Sequence, residues 1–541
     1  MARIHASGAS LAIAAPCDLL FLATEVNEWA WCAAVLERDP GRWSGLEQAL
    51  CAAALEDAAE PASVLLPVLE ESAAHERFAR LAEREMRPDL RRLLAAASAR
   101  ELPFLLDDSE LTLGAGAGGQ TFQLAALPDV ASVPWERLHG IPTAVVTGSN
   151  GKTTTVRLLA ACARAHGWQA AYNCTDGVFI NQETLARGDY SGPAGTRRVL
   201  RESRCEAAIL ETARGGILRR GIAVSSAHTA VVTNVSSDHF GEYGIHDLDG
   251  LADVKLSVAA IVQPGGLLVL NADDPLLRAK APHLAARFAP CPAIGWFSLD
   301  ADAELLRAHR SAGGHTCGVR AGRLVLEIGS RKKDDLGAVN AMPLTIGGHA
   351  PYNIANLAGA ALAAAAIGIP PATVAAVCAR FGSEAGDNPG RMMQYDIGGV
   401  RILVDYAHNP EGLRGFLEVA THLRGSRGRL GLLLGHAGNR QDADIEELAR
   451  VAVEFRPDLV VVKEIPTHLR GRALGEIPRI IRNALVGAGL AESKVRMQTG
   501  EAEAAASALE WAQPGDVLGL LVHAADARDA VLEMLERRRP A

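Results

Sequence analysis

Residues 147–155 read TGSNGKTTT and follow the apolar run TAVV. Glycine lets backbone N–H groups turn toward an anion with no Cβ in the way, and a helix N-terminus adds partial positive charge. Gly148, Ser149, Asn150 and Gly151 are therefore candidates for cradling phosphates. Lys152 has the reach for the β- and γ-phosphates of a nucleotide, the Thr153 hydroxyl can hold Mg²⁺, and Thr154 carries the loop into a helix. The full pattern wants glycine at 146, where this chain has Val146, so the loop is a variant. Glu211 ends a second apolar run, AAIL. A carboxylate at a strand's C-terminal end can bind Mg²⁺ directly; the competing reading is a solvated strand-end acid. Arg214 with Gly215 and Gly216 reads as a glycine turn carrying a contact for carboxylate or phosphate. Asn353 and Asn356 lie three apart on one helical face, and an amide offers both donor and acceptor to an adenine edge. The competing reading there is a capped helix start.

These residues need strands to end beside one another. From about 138 to 387 short apolar runs (Ile141–Thr147, Ala207–Glu211, Thr229–Asn234, Leu267–Asn271) alternate with amphipathic helical stretches, the pattern of a parallel sheet covered by helices, with ligands at the strands' carboxyl ends. From 388 to 541 a second α/β set follows, with strands expected at Arg401–Asp405, Leu430–Leu434, Leu459–Lys463, Lys494–Gln498 and Val517–Val522. Gly, Asn and Pro in EAGDNPGR mark the boundary. Residues 1–137 form a smaller α+β block, helical over Glu70–Arg100, then short strands around the glycine-rich turn GAGAGG. The fold class expected is multi-domain α/β: a central P-loop sheet, a C-terminal Rossmann-like domain and the N-terminal block.

Composition fits a globular chain, with 49% hydrophobic and 22% charged residues. The net charge of −9 argues against nonspecific nucleic-acid binding. Nine cysteines without CxxC spacing disfavour a disulfide framework or zinc ribbon and fit a reducing cytoplasm. The N-terminus lacks the longer apolar core of a signal peptide. Ala355–Val377 is the most span-like stretch, but it is alanine-rich with two prolines and reads as a buried helix. No membrane association is expected.

TGSNGKTTT resembles the nucleotide loop of the Mur ligase superfamily. NCTDGVFINQETLARGDYSGP, LETARGGILRRG, TNVSSDHFGEYGIHDLDGLADVK, LNADDP and LVDYAHNPEG narrow the resemblance to the Mur-ligase half of cyanophycin synthetase, continuously from about 140 to the C-terminus. The resemblance implies ATP and Mg²⁺ as cofactors, with Lys152, Glu211, His239 and Lys255 as the catalytic set. It makes His239 a metal ligand, with Asp238 beside it to orient it, and Lys255 a carbamylated lysine that completes a metal set of Thr153, Glu211, His239 and Lys255. The competing readings are a core histidine and a plain surface lysine. Lysine is scarce here, seven against 47 arginines. The resemblance also brings Asn353 and Asn356 to adenine, Arg391 to the nucleotide phosphates, and Asp405 to ribose. His408 and Asn409 would sit on the loop facing the inter-domain cleft. Asp442, Lys463, Glu464, Arg470 and Arg472 become candidates for the amine substrate, although GNRQD stands where the pattern is closer to GDRRD.

ELPFLLDDSELTLGAGAGGQ weakly resembles the segment where the N-terminal domain of cyanophycin synthetase meets its ATP-grasp domain; here the chain runs directly into the Mur-type loop. One ATP site implies one kind of ligation, so the expected substrates are an amino acid or peptide, with a separate ligase as the partner for any second bond and an oligomer compatible. The expected activity is an ADP-forming carboxylate–amine ligase acting through an acyl phosphate. The alternative is a non-catalytic, regulatory nucleotide-binding partner of a separate polymerising enzyme.

Overall fold

The computed structural model of the chain describes residues 2–5, 8–11, 13–38, 71–237, 242–329, 332–438 and 440–539. Cys51, Asp238 and His239 lie outside the described residues. The chain forms two compact units, Met1–Leu111 with Thr121–Glu136, and Thr112–Gln120 with Arg137–Ala541.

In the first unit, helix Pro88–Ser98 buries Leu90, Leu93, Leu94 and Ala97. That is the i, i+3, i+4, i+7 stripe of an amphipathic helix. Helix Leu20–Arg38 has its first N–H groups satisfied from outside: the Glu85 carboxylate accepts from Phe21 and Leu22 at 2.7 and 2.8 Å.

In the second unit the glycine-rich turn serves close packing. Gly116 adopts φ +54°, and a Cβ there would lie 2.2 Å from the Cys205 carbonyl oxygen. That same carbonyl accepts from the Ala117 N–H at 2.7 Å.

The central sheet has eleven strands: β1 (Thr143–Thr147), β2 (Ala170–Cys174), β3 (Gly177–Ile180), β4 (Glu183–Arg187), β5 (Ala207–Glu211), β6 (Ala227–Val232), β7 (Val262–Asn271), β8 (Ala293–Ser298), β9 (His315–Arg320), β10 (Arg323–Ile328) and β11 (Lys332–Ala338), in the order β11-β10-β9-β8-β7-β6-β1-β5-β2-β3-β4. The run from β9 to β2 is parallel, as the four apolar runs in β1, β5, β6 and β7 predict; β2, β8 and β9 extend it beyond those runs. Both edges are antiparallel hairpins, which sequence periodicity did not anticipate. The β9–β10 turn shows how they close: Ala321 and Gly322 take φ +49° and +73°, and a two-residue loop with positive φ twice matches the twist of the strands it joins. Strands β1 and β5 are buried throughout, as a sheet covered on both faces requires.

Helix α1 (Lys152–Ala165) leaves β1. Helices α2 (Arg214–Arg220) and α3 (Leu248–Leu256) follow β5 and β6. Arg214-Gly215-Gly216 is therefore the first turn of a helix and not the glycine turn expected; a Cβ at Gly216 would stand 3.0 Å from the Pro193 ring. The predicted buried helix over 355–377 is two helices, α4 (Pro351–Ala366) and Pro371–Cys378, broken at Pro370.

The last domain has strands β12 (Met393–Ile397), β13 (Val400–Asp405), β14 (Leu430–Leu434), β15 (Leu459–Lys463), β16 (Val495–Gln498) and β17 (Val517–Leu521) in the order β12-β13-β17-β14-β15-β16. All pairings but β12–β13 are parallel. Helix α5 (Pro410–Arg424) follows β13, α6 (Glu501–Trp511) follows β16 and α7 (Ala525–Arg538) follows β17. No helix of the described residues is long and apolar enough to cross a membrane.

Candidate active site

Register places the loops. Glu211 pairs with Val146 across β5–β1, and Val232 with Thr147 across β6–β1. Three parallel strands thus end together, and residues 148–151, 212–213 and 233–237 emerge side by side. Val146, where a glycine was wanted, is fully buried within β1, so the turn begins two residues later.

Gly151 caps α1 in the left-handed region at φ +83°, and a Cβ there would meet Asn356 Oδ1 at 2.3 Å. Gly148 is equally constrained: its Cβ would fall 1.8 Å from Thr233 Oγ1. The 233–236 segment grips the loop from its other side. Asn234 Oδ1 accepts from the Asn150 N–H at 2.9 Å, the Ser149 hydroxyl donates to the Ser236 carbonyl at 3.0 Å, and Thr233 Oγ1 donates to the Asn150 carbonyl at 2.6 Å. Lys152 Nζ donates to the carbonyls of Gly148 and Ser149 at 3.0 and 2.9 Å, folded over the loop it belongs to.

Glu211 is 0% exposed, which removes the reading of a solvated strand-end acid. Its oxygens accept from Thr153 Oγ1 at 2.8 Å and Thr175 Oγ1 at 3.2 Å. Burial pushes its pKa above the ordinary glutamate range, and the nearby charges of Lys152 and Arg391 offset only part of that. Two hard oxygen donors, a hydroxyl and a carboxylate, are the chemistry that suits Mg²⁺.

Two cavities meet here. One of about 440 Å³ is lined by Ser149–Thr154, Asn353, Asn356, Arg391 and Asp405. The other, of about 690 Å³, lies between the central and last domains, with Arg214 and Lys255 on one wall and His436 and Arg440 on the other. Lys152, Thr175, Glu211, Tyr406 and His408 line both.

The last domain brings the carboxyl ends of its own strands to the same place. Asp405 accepts from the N–H groups of Met392 and Ala407, both at 2.8 Å. Asn409 caps α5 by accepting from the Gly412 N–H, and its Nδ2 donates to Asn150 Oδ1 at 2.9 Å, joining the last domain to the loop. Arg391 lies 4.3 Å from the Tyr406 ring centroid. Its Nε and Nη2 are buried without a hydrogen-bond partner. Two unsatisfied guanidinium nitrogens facing a cavity are costly and suit an anion.

Residues 146–364 match the Mur ligase middle domain, and residues 390–521 match the Mur ligase glutamate ligase domain. Both α/β domains belong to the Mur ligase family. The chain is 38% identical over 341 residues to a cyanophycin synthetase of Synechocystis sp., covering 63% of this chain and 38% of that protein. It is 34% identical over 407 residues to the cyanophycin synthetase of Crocosphaera subtropica, covering 75% and 45%. It thus spans less than half the length of these relatives. A UDP-N-acetylmuramoyl-L-alanyl-D-glutamate–2,6-diaminopimelate ligase of Chlorobium phaeobacteroides is 27% identical over 433 residues, 78% of each chain. Among solved structures, Mycobacterium tuberculosis folylpolyglutamate synthase complexed with ADP and AMPPCP shares the fold, with a TM-score of 0.52 and 17% identity over 74% of this chain and 92% of that one.

Within the Mur ligase framework the remaining sequence candidates fall into two groups. Lys255 is 2% exposed on α3 and lines the larger cavity, so it is not a surface lysine. Asn353 and Asn356 are buried on α4. Asn353 donates to the Leu344 carbonyl at 3.0 Å and Asn356 to Asn353 Oδ1 at 3.2 Å, and neither caps the helix. Of the five amine-substrate candidates, Arg470 alone lines the larger cavity. Lys463 is fully buried against Glu501. Glu464 accepts from the Gly475 N–H at 2.6 Å. Arg472 pairs with Asp442 at 2.7 Å and donates to the Gly438 and Arg440 carbonyls, so this pair shapes a loop.

Sequence reasoning missed Asp176. Its carboxylate binds Arg157 of α1 at 3.1 Å and Arg528 of α7 at 2.9 Å, and all three side chains are at most 8% exposed. Burial alone would raise its pKa; the charges of Arg391, Arg528 and Arg157 outweigh that and hold it low. No spacing rule links residues 157, 176 and 528.

Proposed function

We propose that this chain is an ATP-dependent carboxylate–amine ligase that forms ADP and works through an acyl phosphate. The observation that carries the reading is the junction of the two cavities: Lys152 and the buried Thr153–Glu211 pair stand where they meet. One cavity has the size and donors for a nucleotide, with Asn353 and Asn356 toward the base, Asp405 toward ribose and Arg391 toward phosphates; the other has room for the molecules to be joined.

Hydroxide is a poor leaving group, so a carboxylate must be activated before an amine can displace it. In the first step a substrate carboxylate oxygen attacks the γ-phosphorus and the bond to the β,γ-bridging oxygen breaks, releasing ADP. In the second the amine attacks the acyl carbon, inorganic phosphate leaves, and the amine nitrogen gives up a proton. Glycines 148 and 151 leave the backbone N–H groups clear for phosphate, and Lys152 and Arg391 offset the charge of the transferring group. Mg²⁺, held by Thr153 and Glu211 with His239 and a carbamylated Lys255 as the family pattern suggests, would neutralise charge on the phosphates. Closure of residues 388–541 on residues 138–387 excludes water, which would otherwise hydrolyse the acyl phosphate. Reduced thiols and the need for ATP fit a reaction in the cytoplasm. Amino acids or peptides are the substrates, with a separate ligase as partner for any second kind of bond.

The test uses a carboxylate donor labelled with ¹⁸O. Transfer of one label to inorganic phosphate, with ADP as the nucleotide product, is the expected result. AMP with pyrophosphate, or unlabelled phosphate, would reject the acyl phosphate. Nucleotide binding with no turnover for any acid and amine pair would favour the regulatory alternative.

A further inference from the structure

Lys463, read from the sequence as a candidate for the amine substrate, is fully buried. It ends β15, and its ammonium meets two partners: the Glu501 carboxylate at the start of α6, and His523 Nδ1, just past β17, at 3.0 Å. Strand β14 lies between β15 and β17 in the sheet, so the lysine side chain crosses the end of β14. Gly435, the first residue after β14, makes room for it. A Cβ there would lie 2.7 Å from Lys463 Cγ and 3.1 Å from its Cε. Glu501 also accepts from the N–H groups of His523 and Ala524. The ligase reading gives none of these side chains a task.

The hydrogen bonds fix the state of His523. Its Nε2 stands 3.1 Å from the Ala407 carbonyl, and a carbonyl only accepts, so Nε2 carries the proton. A lysine ammonium only donates, so Nδ1 is the bare nitrogen. Both ends of the ring demand the same neutral tautomer. Glu501 Oε1 lies 3.6 Å from Nδ1, beyond hydrogen-bond reach. Tyr406, whose ring packs edge-on at 5.2 Å, and His436 are the other titratable groups beside it. Burial, then the Lys463 charge, pushes the His523 pKa down, and Glu501 offsets only part of that. A ring held this way is a poor base and a well-aimed donor.

The segment His523 holds runs from Asp405 to Asn409. The Ala407 N–H donates to Asp405 Oδ1 at 2.8 Å and its carbonyl accepts from His523, so this residue is fastened on both sides. Before it, Tyr406 packs against Arg391. After it come His408, which lines both cavities, and Asn409, which reaches Asn150 on the phosphate loop. We infer that Lys463 and His523 are positioning residues: through the Ala407 carbonyl they set the direction of the 406–409 segment at the junction of the two cavities. Neither exchanges a proton during turnover. The inference rests on the ligase reading for what happens at that junction; the tautomer and the hold on the segment are measurable without turnover.

Two measurements on the full chain separate them. In the first, the chain carries ¹⁵N-histidine and two-bond ¹⁵N–¹H spectra are recorded with AMPPCP and Mg²⁺ present. The His523 and His408 signals are identified by their loss in His523→Gln and His408→Gln. His523 should be protonated at Nε2 alone from pH 6 to 8. His523→Leu removes the donor at similar volume, whereas His523→Gln keeps an N–H where Nε2 stood. The His408 signals should therefore move in His523→Leu and stay near their wild-type positions in His523→Gln. In the second, ADP release is followed with the acid and amine pair that the wild-type chain uses best. His523→Leu should lower kcat about 30-fold with KM for ATP within about threefold, and His523→Gln should recover kcat to within about threefold of wild type. A His523 protonated at Nδ1 or titrating between pH 6 and 8, wild-type kcat in His523→Leu, or a His523→Gln no better than His523→Leu would overturn the inference. Failure of every pair to release ADP, with the tautomer and the His408 response as expected, would sink the ligase reading and leave the hold on the segment supported.

Discussion

Glu211 and Glu501 are both buried, and they are buried differently. Glu501, at the start of α6, faces Lys463 and also accepts from the N–H groups of His523 and Ala524 at 2.8 and 2.7 Å. Burial alone would raise its pKa, but Lys463 and His523 more than reverse that and hold it far below the ordinary range. Glu211 has two threonine hydroxyls and, among the described residues, no lysine or arginine in contact, and its pKa stays raised. The first carboxylate is complete within the protein. The second has a place in its environment for a positive charge that the fold supplies only in part, from Lys152 and Arg391 nearby. Burial alone would have called both of them structural; the partners separate a strut from a reagent site.

Removing the cation from the complete site should have the largest effect. Lys463→Met leaves Glu501 buried and uncompensated, and breaking such a pair costs about 3–5 kcal/mol. A lower denaturation midpoint in urea is the expected result; an unchanged midpoint would show that the pair is not a strut. Lys152→Ala and Glu211→Gln should each lower turnover by about 100-fold or more, roughly 3 kcal/mol for one stabilising group at the transferring phosphoryl. Glu211→Gln should melt at or above the wild-type temperature, since it removes a charge that costs stability in the absence of metal, whereas Lys152→Ala should stay folded but melt no higher than wild type, because it takes away a charge that offsets Glu211. A folded Lys152→Ala protein with normal ATP turnover would refute the loop assignment.

The pH dependences should be opposite in sign, each with a limiting slope of about 1.4 kcal/mol per pH unit for one proton. Glu501 has a depressed folded pKa. Its contribution is fully present above the ordinary glutamate value of 4.5 and is lost as pH falls below it. Glu211 has a raised folded pKa. Without metal, its contribution is present below 4.5 and lost as pH rises through the folded value. Comparing wild type with Glu211→Gln across pH 4 to 8 in EDTA should show the variant gaining relative stability as pH rises, and added Mg²⁺ should close the gap. A gap that Mg²⁺ leaves unchanged would argue against a metal at Glu211.

The sequence made one of these glutamates conspicuous and left the other silent. Glu211 ends an uninterrupted apolar run, and strand-end acids are where α/β sheets do chemistry. Glu501 begins a helix 38 residues after Lys463, and nothing local announces their meeting. The same division holds for the fold. The centre of the parallel sheet was legible at β1, β5, β6 and β7, whose apolar runs are followed by polar residues, while β2, β8 and β9, with sequences such as AAYNC and HTCGVR, gave no such run. The edge hairpins β3–β4 and β10–β11 were not, since half-exposed strands such as ETLAR carry no apolar run to read. Asn150, Lys152 and Thr153 could be read from spacing, whereas Thr233–Ser236 became part of the site only because β6 lies beside β1.

The last domain meets the central one through contacts of two kinds. Asn409 holds Asn150 on the phosphate loop, Asn388 donates to Thr154, Arg528 holds Asp176 and Arg187 pairs with Asp529. Beside them Ile346 and Ala350 of the central domain share a core with Leu413 and Phe416, and His349 stacks on His422. The two kinds answer differently to opening. Water can take the place of a hydrogen bond or an exposed ion pair at little cost, whereas parting the apolar seam exposes surface that water does not welcome. A domain that opens with least loss gives up the polar contacts and keeps the seam, which makes the seam at Ile346 and Ala350 the hinge expected of this pair of domains.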